Sequence, residues 1–493
     1  MNKPTFISCT KIHNRHTRFV RNICAKSFLH KFQVHLHCVV FFVNTMDFIL
    51  RFPPDLFVVD VLSFLLLKDL VILDTATCNT VLRSEFQPRL KNVLYWGEEI
   101  EFAIGGTALK WLSFRQMSLE RMHVVNVSEG MFMQFGSAFA LTKRCKLRAC
   151  AISHQGFESF AQSSPLLEDL DLIHCNFPLW ISGETVRCLF HCVHLRHLNL
   201  EGYTFLSNVD VDLVSRNCPN LVKLVLSFCH KISDAALLSL AAHSSGLESL
   251  YLAGLNITDI GLKALAQGCR ALRCADLENC AYSIPSGIST AGCLALTTNC
   301  SLLQILSLAA SRRVPGSILI DVLIPSFQSL QDLNVNGWTD LSDSNVQMLA
   351  MHCPQLVSLR IHDCVGLTDE AVIILAKHCV NLHTLCARSC EAFTDKSIVL
   401  LATRCTKLRD IDLDFSSITE KSINALAKHC KALVDVNVSH ISSPFSVASV
   451  ASLFVECPLL SRLGVSEIDE EIELRLFQKS ALTMYPRVKF FLY

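Results

Sequence analysis

Apolar residues recur along most of the chain with a period of about 26 residues. The segments that begin at Cys353, Cys379 and Cys405 share one frame, in which a cysteine is followed by leucine or isoleucine at fixed intervals. The frame extends in both directions with a cysteine or a substitute at its first position: Cys192, Cys218, Ser244, Cys269, Cys300, Phe327, Cys430 and Cys457. A period of this length predicts an array of similar structural units.

Each unit combines two hydrophobic patterns. Leu356, Leu359 and Ile361 follow the spacing L-x-x-L-x-L, whose second half alternates with period two and predicts a short strand with one buried face. A Ser/Thr-Asp pair follows, and then apolar residues at helical spacing such as Val372 and Leu375. The pairs are Ser233-Asp234, Thr258-Asp259, Thr368-Asp369 and Thr394-Asp395. Since short oxygen-bearing side chains cap helix starts, each unit is predicted to be strand, turn and helix.

One such unit cannot bury its own apolar face, whereas stacked units build a continuous core. The units resemble the cysteine-containing class of leucine-rich repeats, in which a cysteine replaces the asparagine that follows the strand. The cysteines in that place are Cys175, Cys229, Cys280, Cys364 and Cys390. The resemblance implies an α/β fold, a right-handed leucine-rich-repeat solenoid shaped as a horseshoe, with parallel strands on the concave face and helices on the convex face.

The regularity of the pattern varies along the chain and suggests domain limits. We expect regular repeats over residues 192–463, irregular ones over residues 97–191, and a C-terminal cap over residues 464–493. Within the cap, Val488, Phe490 and Leu492 alternate and predict a last strand that closes the core. The interval from Cys269 to Cys300 is 31 residues long, so a loop is expected near residues 281–287; such a loop either contacts ligands or varies in length without a role.

Composition narrows the possible partners. Lys plus Arg and Asp plus Glu each number 44 in 493 residues, so no global basic field attracts nucleic acid. The 24 cysteines recur through the chain, which indicates buried, reduced thiols in the cytoplasm or nucleus. No apolar run approaches the ~20 residues that cross a bilayer, so no membrane partner is expected.

Chemistry-bearing motifs are scarce. We find no Walker-type phosphate loop, no His-Glu-x-x-His pair and no activated nucleophile, and therefore expect no catalytic residue and no enzyme activity. The recurring cysteines are interpreted as core residues, with no metal and no cofactor, because serine or phenylalanine also fills their position. His352, His378 and His429 are expected to end helices, where the helix dipole favours them.

The segment before the repeats does not share their pattern. Residues 1–46 are basic, with no acid, and are either an organellar presequence or an extension upstream of Met46 that belongs to the gene model alone. Residues 47–96 then resemble an F-box, since FPPDL at residues 52–56 takes the place of the Leu-Pro-x-Glu-Leu motif with which that family begins. By this resemblance the residues that form or support an adaptor contact are Pro53, Pro54, Leu56, Leu62, Leu65 and Leu70. The alternative is a helical cap over the first repeat.

An F-box-like segment before cysteine-type repeats is the architecture of F-box substrate receptors. The resemblance implies a substrate-recognition subunit of an SCF-type cullin ubiquitin ligase. Its F-box would bind a Skp-type adaptor, and its repeats would hold a protein substrate for ubiquitin-dependent degradation. The chemistry would then belong to partner proteins. The alternative is a protein-interaction scaffold with no ligase connection.

The strand pattern also predicts which residues face a substrate. Side chains that flank the second and third apolar residues of each strand point to the concave face. The acids there are Asp169, Asp171, Glu201, Asp276, Glu278, Asp332, Asp410, Asp412, Asp414 and Asp435, and the bases are Lys223, Arg360, Arg388 and Arg462. The candidate substrate site comprises Asp276, Glu278, Asp332, Arg360, Arg388, Asp410, Asp412, Asp414 and Asp435.

This excess of acids favours a basic peptide or domain as the ligand. The alternative is that the acids only keep an exposed sheet soluble. Arg388 and Asp414 hold equivalent positions on adjacent strands, so they could also pair with each other.

Overall fold

A computed structural model describes residues 106–114, 118–150, 152–172, 187–280, 287–310, 316, 328–441, 445–465 and 489–492. The basic extension, the F-box-like segment with its six adaptor residues and the loop at residues 281–286 lie outside the described residues. The chain divides into two compact units. One comprises Met1–Arg121 with Ser137–Phe139, and the other comprises Met122–Gly136 with Ala140–Tyr493.

The described strands form one sheet whose order follows the chain, and every pair of neighbours from β2 to β15 is parallel. The strands are β1 (Arg121–Val125), β2 (Arg144–Arg148), β3 (Asp169–Asp171), β4 (His197–Asn199), β5 (Lys223–Val225), β6 (Ser249–Tyr251), β7 (Cys274–Asp276), β8 (Ile305–Ser307), β9 (Asp332–Asn334), β10 (Ser358–Arg360), β11 (Thr384–Cys386), β12 (Asp410–Asp412), β13 (Asp435–Val438), β14 (Arg462–Val465) and β15 (Lys489–Leu492). β15 confirms the predicted last strand.

Helices alternate with the strands. The α-helices are α1 (Gly106–Phe114), α2 (Glu129–Gln134), α3 (His154–Ser163), α4 (Asn208–Asn217), α5 (Asp234–His243), α6 (Asp259–Gly268), α7 (Thr290–Asn299), α8 (Asp343–His352), α9 (Asp369–His378), α10 (Asp395–Arg404), α11 (Glu420–His429) and α12 (Val447–Glu456). Short 3-10 turns cover Gly136–Phe139 and Cys188–His191. His352, His378 and His429 end their helices as expected.

The hydrophobic core lies between the strands and the helices. In one repeat Leu356, Leu359 and Ile361 of the strand segment are fully buried, together with Val372 and Leu375 of α9. The residues between them in the strand point to the other side of the sheet, as the period of two requires. The alternation of parallel strands and helices confirms the predicted α/β leucine-rich-repeat solenoid.

The repeating cysteines are core residues. Cys379, Cys405 and Cys430 follow the ends of their helices, and all three are fully buried. Their thiols donate to backbone carbonyls of the preceding repeat; the Sγ of Cys405, for example, lies 3.5 Å from the carbonyl oxygen of Cys379. Burial raises the pKa of Cys379 to about 12, so the thiol stays protonated at neutral pH and serves as a small, weakly polar core side chain.

Ser244 occupies the cysteine position after α5. Its side chain is almost fully buried, and its hydroxyl has no hydrogen-bond partner within the described residues. A hydroxyl is a stronger polar group than a thiol, so its isolation in the core is costly. Serine therefore fits this position less well than cysteine does.

The Ser/Thr-Asp pairs connect successive repeats, which goes beyond the predicted cap. Thr394 caps its own helix as expected, since its Oγ1 accepts from the backbone N–H of Lys396. Its own N–H and hydroxyl donate to Asp369 of the preceding helix at 2.8 and 2.6 Å. The same two bonds join Thr419 to Asp395 at 2.9 and 2.5 Å. We call this series the carboxylate ladder; its other members with two bonds are Thr258 with Asp234, Ser289 with Asp259, and Thr368 with Asp343.

One position in this series departs from the expected cap, and another shows how closely the carboxylate approaches the next helix. At Ser233 the predicted side-chain cap is absent, and its hydroxyl and backbone N–H bond instead to the amide of Asn208 at 2.9 Å each. At Gly292 the backbone N–H also donates to Asp259, at 3.0 Å, and an added Cβ would crowd that carboxylate in its present position.

Candidate functional site

The outward side chains of the strands form one surface, which we call the strand face. In β10, Leu359 points into the core while Ser358 and Arg360 point outward. The register aligns Ser358 with Asp332 of β9 and with Thr384 of β11, so outward residues form rows that cross the strands. All nine residues predicted for substrate binding take outward positions in, or directly after, β7, β9, β10, β11, β12 and β13.

The arginines on the strand face pair with acids of neighbouring strands. The guanidinium of Arg360 lies 2.8 Å from a carboxylate oxygen of Asp332. Arg388 lies 3.1 Å from Asp414, which confirms the pairing suggested by their equivalent positions. Arg462 of β14 likewise pairs with Asp435. These bases therefore neutralise local acids and reduce the acidity that counting residues alone suggests.

Four of the seven acids in the candidate substrate site contact no cation in the part of the chain that the structure describes. They are Asp276, Glu278, Asp410 and Asp412. Asp410 accepts a hydrogen bond of 3.1 Å from the hydroxyl of Thr384, and Asp412 accepts one of 3.0 Å from the amide of Asn437. These donors are neutral, so a negative charge remains on the strand face.

Burial affects the ionisation of this surface. Burial, and secondarily the charge of Asp276, raises the pKa of Glu278. Burial also raises the pKa of Asp412 and that of Asp435, although Arg462 opposes the change at Asp435. Burial lowers the pKa of His362, the second residue after β10. An approaching cation would favour the charged form of each carboxylate.

An aromatic cluster stands beside these acids. Phe415 has a φ of 57°, which is unusual for a bulky residue, and 40% of it is exposed. Its ring stacks on the His440 imidazole with centroids 4.5 Å apart, and the guanidinium of Arg388 lies 5.7 Å from its centroid. Nδ1 of His440 is 2.9 Å from Asp414, whose side chain is 4% exposed. Sequence reasoning missed Phe415 and His440, because the pattern stopped at the last outward strand residue.

The opposite end of the sheet carries bases that the sequence reasoning also missed. Arg144, Lys146 and Arg148 occupy the exposed positions of β2. Lys146 lies 3.7 Å from Asp171 of β3, and Asp169 lies 3.3 Å from the imidazole of His197. The period-two alternation could have found the β2 bases, since Cys145 and Leu147 between them are buried. The strand face is therefore basic at β2 and acidic around β12.

The chain has relatives among curated proteins, although no family model matches it. The chain is 32% identical to F-box/LRR-repeat protein 12 of Arabidopsis thaliana over 143 residues, which are 29% of this chain and 36% of the relative. It is 27% identical to the putative F-box/LRR-repeat protein 22 of Arabidopsis thaliana over 177 residues, 32% of this chain and 48% of the relative. These relatives support an F-box/LRR family assignment. The chain spans less than half the length of the curated F-box/LRR relatives that it matches.

The fold of this chain is also found in a solved structure. Rad7 in the crystal structure of the yeast Rad7 and Elc1 complex matches with a TM-score of 0.50 and 16% identity, covering 99% of this chain and 98% of the other. At that identity the likeness concerns the fold alone. Among the helices of the described residues, none has the length and apolar character needed to cross a membrane.

Proposed function

We propose that the chain is the substrate-recognition subunit of an SCF-type cullin ubiquitin ligase. One observation carries the proposal, namely an extended strand face with unpaired carboxylates in a chain whose curated relatives are F-box/LRR-repeat proteins. In this function the F-box-like segment, residues 47–96, binds a Skp-type adaptor, and the strand face binds the substrate. Partner proteins carry out ubiquitin transfer, so the chain itself is not an enzyme.

Two further features support this proposal. The yeast structure with the same fold holds Rad7 in a complex with a second protein, Elc1, and we propose that a small adaptor likewise binds this chain. The described cysteines are free, and nearly all are buried, which suits the reducing environment of the cytoplasm and nucleus, where we propose that the protein acts. The partners we propose are thus an adaptor, a cullin assembly and a protein substrate, without nucleic acid or membrane.

Adaptor binding tests the proposal. A purified Skp-type adaptor is titrated with the full chain and with a chain that begins at Gly97, and binding is measured by calorimetry. We expect the full chain to bind and the shortened chain not to bind while it keeps its circular dichroism spectrum. A matched control, Asp410→Asn on the strand face, should leave adaptor affinity unchanged.

A folded full chain that does not bind the adaptor would contradict the ligase function. It would leave residues 47–96 as a cap of the solenoid and the chain as an interaction scaffold. Loss of adaptor binding in the Asp410→Asn control would also contradict the proposal, because the adaptor would then depend on the strand face and not on residues 47–96 alone.

A further inference from the structure

We propose that the strand face from β9 to β13 binds an extended segment of a protein partner that carries a lysine or an arginine. The cationic head group would lie among the carboxylates of Asp410, Asp412 and Asp435. This inference deepens the proposed function, since it names the chemistry of the substrate, and it rests on that function only in calling the partner a substrate.

The three carboxylates form a compact anionic group. Asp410 and Asp435 are direct neighbours in the parallel register of β12 and β13, at a strand spacing of about 4.8 Å. Asp412 is the next outward residue of β12. Within the described residues, Asp435 alone among the three has a cation partner, Arg462. The group therefore carries more negative than positive charge, and a further positive charge would be attracted to it.

Partial burial increases the need for a counter-charge. The pKa of Asp412 and that of Asp435 are raised by burial, as described above. A carboxylate that has lost water and has not gained a cation is destabilised in its charged form. A lysine or arginine would supply both the charge and the missing hydrogen-bond donors.

An independent observation indicates where the rest of the ligand lies. Ser358 is 6% exposed, and its hydroxyl has no hydrogen-bond partner in the described part of the chain. The side chain of Ser358 lies on the strand-face side of the sheet, because Leu359 beside it is fully buried in the core. A buried hydroxyl without a partner is costly in the free protein, and a peptide group of a bound segment would satisfy it.

The geometry connects the two observations. Ser358, Thr384 and Asp410 hold the same position on three successive strands. Two strand spacings separate Ser358 from Asp410, about 10 Å, which an extended segment of roughly three residues spans. A peptide lying across β10 to β12 can thus place a backbone group at Ser358 and a basic side chain at the carboxylates.

The other kinds of occupant fit less well. Nucleic acid would bring phosphates against unpaired carboxylates. Among the described residues, no group of three or more His, Cys, Asp or Glu side chains has the arrangement that holds a metal ion. The charge complementarity therefore favours a basic protein segment.

The first test measures peptide binding to the full chain by fluorescence anisotropy. The probes are labelled peptides of sequence GSGRGRGS, GSGKGKGS and GSGEGEGS. We expect the two basic probes to bind and the acidic one not to bind. The triple variant Asp410→Asn, Asp412→Asn, Asp435→Asn should weaken binding of the basic probes at least about fivefold, as the loss of charge-assisted contacts requires.

A matched control removes the same number of charges away from the proposed site. The variant Asp340→Asn, Glu370→Gln, Glu391→Gln changes three exposed carboxylates outside the strand face, and it should alter affinity by less than about twofold, because exposed distant charges are screened. Equal weakening by both triple variants would overturn the proposal in favour of a general effect of net charge. Failure of the unaltered chain to bind either basic probe would also overturn it.

Ser358→Ala tests the placement of the peptide backbone. The substitution removes an unsatisfied hydroxyl, so the melting temperature should stay the same or rise, while affinity for the basic probes should fall about threefold. Unchanged affinity would overturn the placement across β10. Adaptor titration of the same variants separates the two proposals. Probe binding without adaptor binding would refute the ligase function alone. Adaptor binding without probe binding would refute this inference alone.

Discussion

The early repeats around α2 and α3 and the later repeats from α9 to α11 achieve the same connection with different side chains. In the later repeats Asp369 and Asp395 begin their helices and accept two bonds from the next threonine. In the early repeats Glu129 begins α2, which has only 6 residues, and accepts from the hydroxyl of Ser153. The connection therefore uses a side-chain oxygen at the first helical position, a carboxylate in these repeats and an amide at Asn208, and does not require a regular repeat length.

The early and the later repeats differ in how many hydrogen bonds each carboxylate accepts. Asp395 accepts from the backbone N–H and the hydroxyl of Thr419, and also from the backbone N–H and the hydroxyl of Ser422, at 3.3 and 2.6 Å. At Ser207 and Ser342 the N-cap backbone N–H bonds instead to the third residue of its own helix, Asp210 and Asn345. The later repeats thus share caps between neighbours, and we expect them to unfold more cooperatively than the early ones.

The largest expected effect comes from substitutions in the hydrophobic core, which both regions share. Leu385→Ala in β11 and Leu170→Ala in β3 each remove a fully buried side chain. Each should lower the free energy of unfolding by about 2–5 kcal/mol, as measured by urea denaturation. A much smaller loss at Leu170 would show that the early repeats repack around the cavity, which would separate the two regions in their cores as well.

A second prediction breaks the ladder in one region at a time. Asp395→Ala removes the acceptor of four hydrogen bonds and should lower the free energy of unfolding by about 2 kcal/mol, as measured by urea denaturation. Glu129→Ala should cost about 1 kcal/mol, because fewer bonds are lost. Lys396→Ala, which changes an exposed side chain of the same helix, is the control and should be nearly neutral. Equal losses at Asp395 and Glu129 would refute the proposed difference.

A third prediction concerns Ser244, which holds the place of the repeat cysteine among the regular repeats. Ser244→Cys replaces a buried hydroxyl that has no partner with the thiol found at the equivalent positions. The variant should gain about 1 kcal/mol of stability, seen as a higher denaturation midpoint. The reverse change, Cys405→Ser, should cost a similar amount; a neutral outcome for both would show that the carbonyls of the preceding repeat accept either group equally.

The smallest expected effect is the pH dependence that the ladder gives to the later repeats. Burial raises the pKa of Asp369 and of Asp395, but hydrogen bonds from the neighbouring Ser and Thr residues outweigh it, and the net pKa of each is lowered. A hydrogen bond from Ser446 lowers the pKa of Glu420.

The sign of the effect follows from linkage. A carboxylate with a lowered folded pKa adds stability above its unfolded pKa, and that stability is lost as the pH falls through the folded value. The melting temperature should therefore fall from pH 5 to pH 3 by more in the unaltered chain than in Asp369→Asn with Asp395→Asn, in scanning calorimetry. Parallel melting curves for the two chains would contradict the contribution of the ladder.

Much of this architecture could be predicted from the sequence because it follows from local patterns. The spacing of Leu356, Leu359 and Ile361 specifies which side chains enter the core, and equal positions in successive repeats placed Arg388 beside Asp414. The domain limits and the adaptor residues stay predictions, since they depend on segments outside the described residues. The strand face could be read from the sequence wherever the alternation is regular.

The remaining features depend on contacts that a local pattern does not contain. Local capping rules assign Thr394 to its own helix, whereas its bonds to Asp369 depend on how two helices stack. Intrinsic backbone preference is against a positive φ at Phe415, and its recurrence at the equivalent Phe228 and Ser389 shows that it belongs to the repeat and not to the residue type. The burial of Ser358 likewise depends on side chains from adjacent strands, and so it became visible only in the folded chain.

The thiol and carboxylate hydrogen bonds join each repeat only to the one before it, which affects how such a chain changes during evolution. Each bond of Cys405 and of Thr419 ends one repeat earlier. Where neighbouring repeats carry the same cysteine, threonine and aspartate, duplication or deletion of a whole repeat would therefore restore these bonds at the new junction. The strand face can be lengthened or shortened by one strand at a time, and its charge pattern can be altered locally without redesign of the scaffold beneath it.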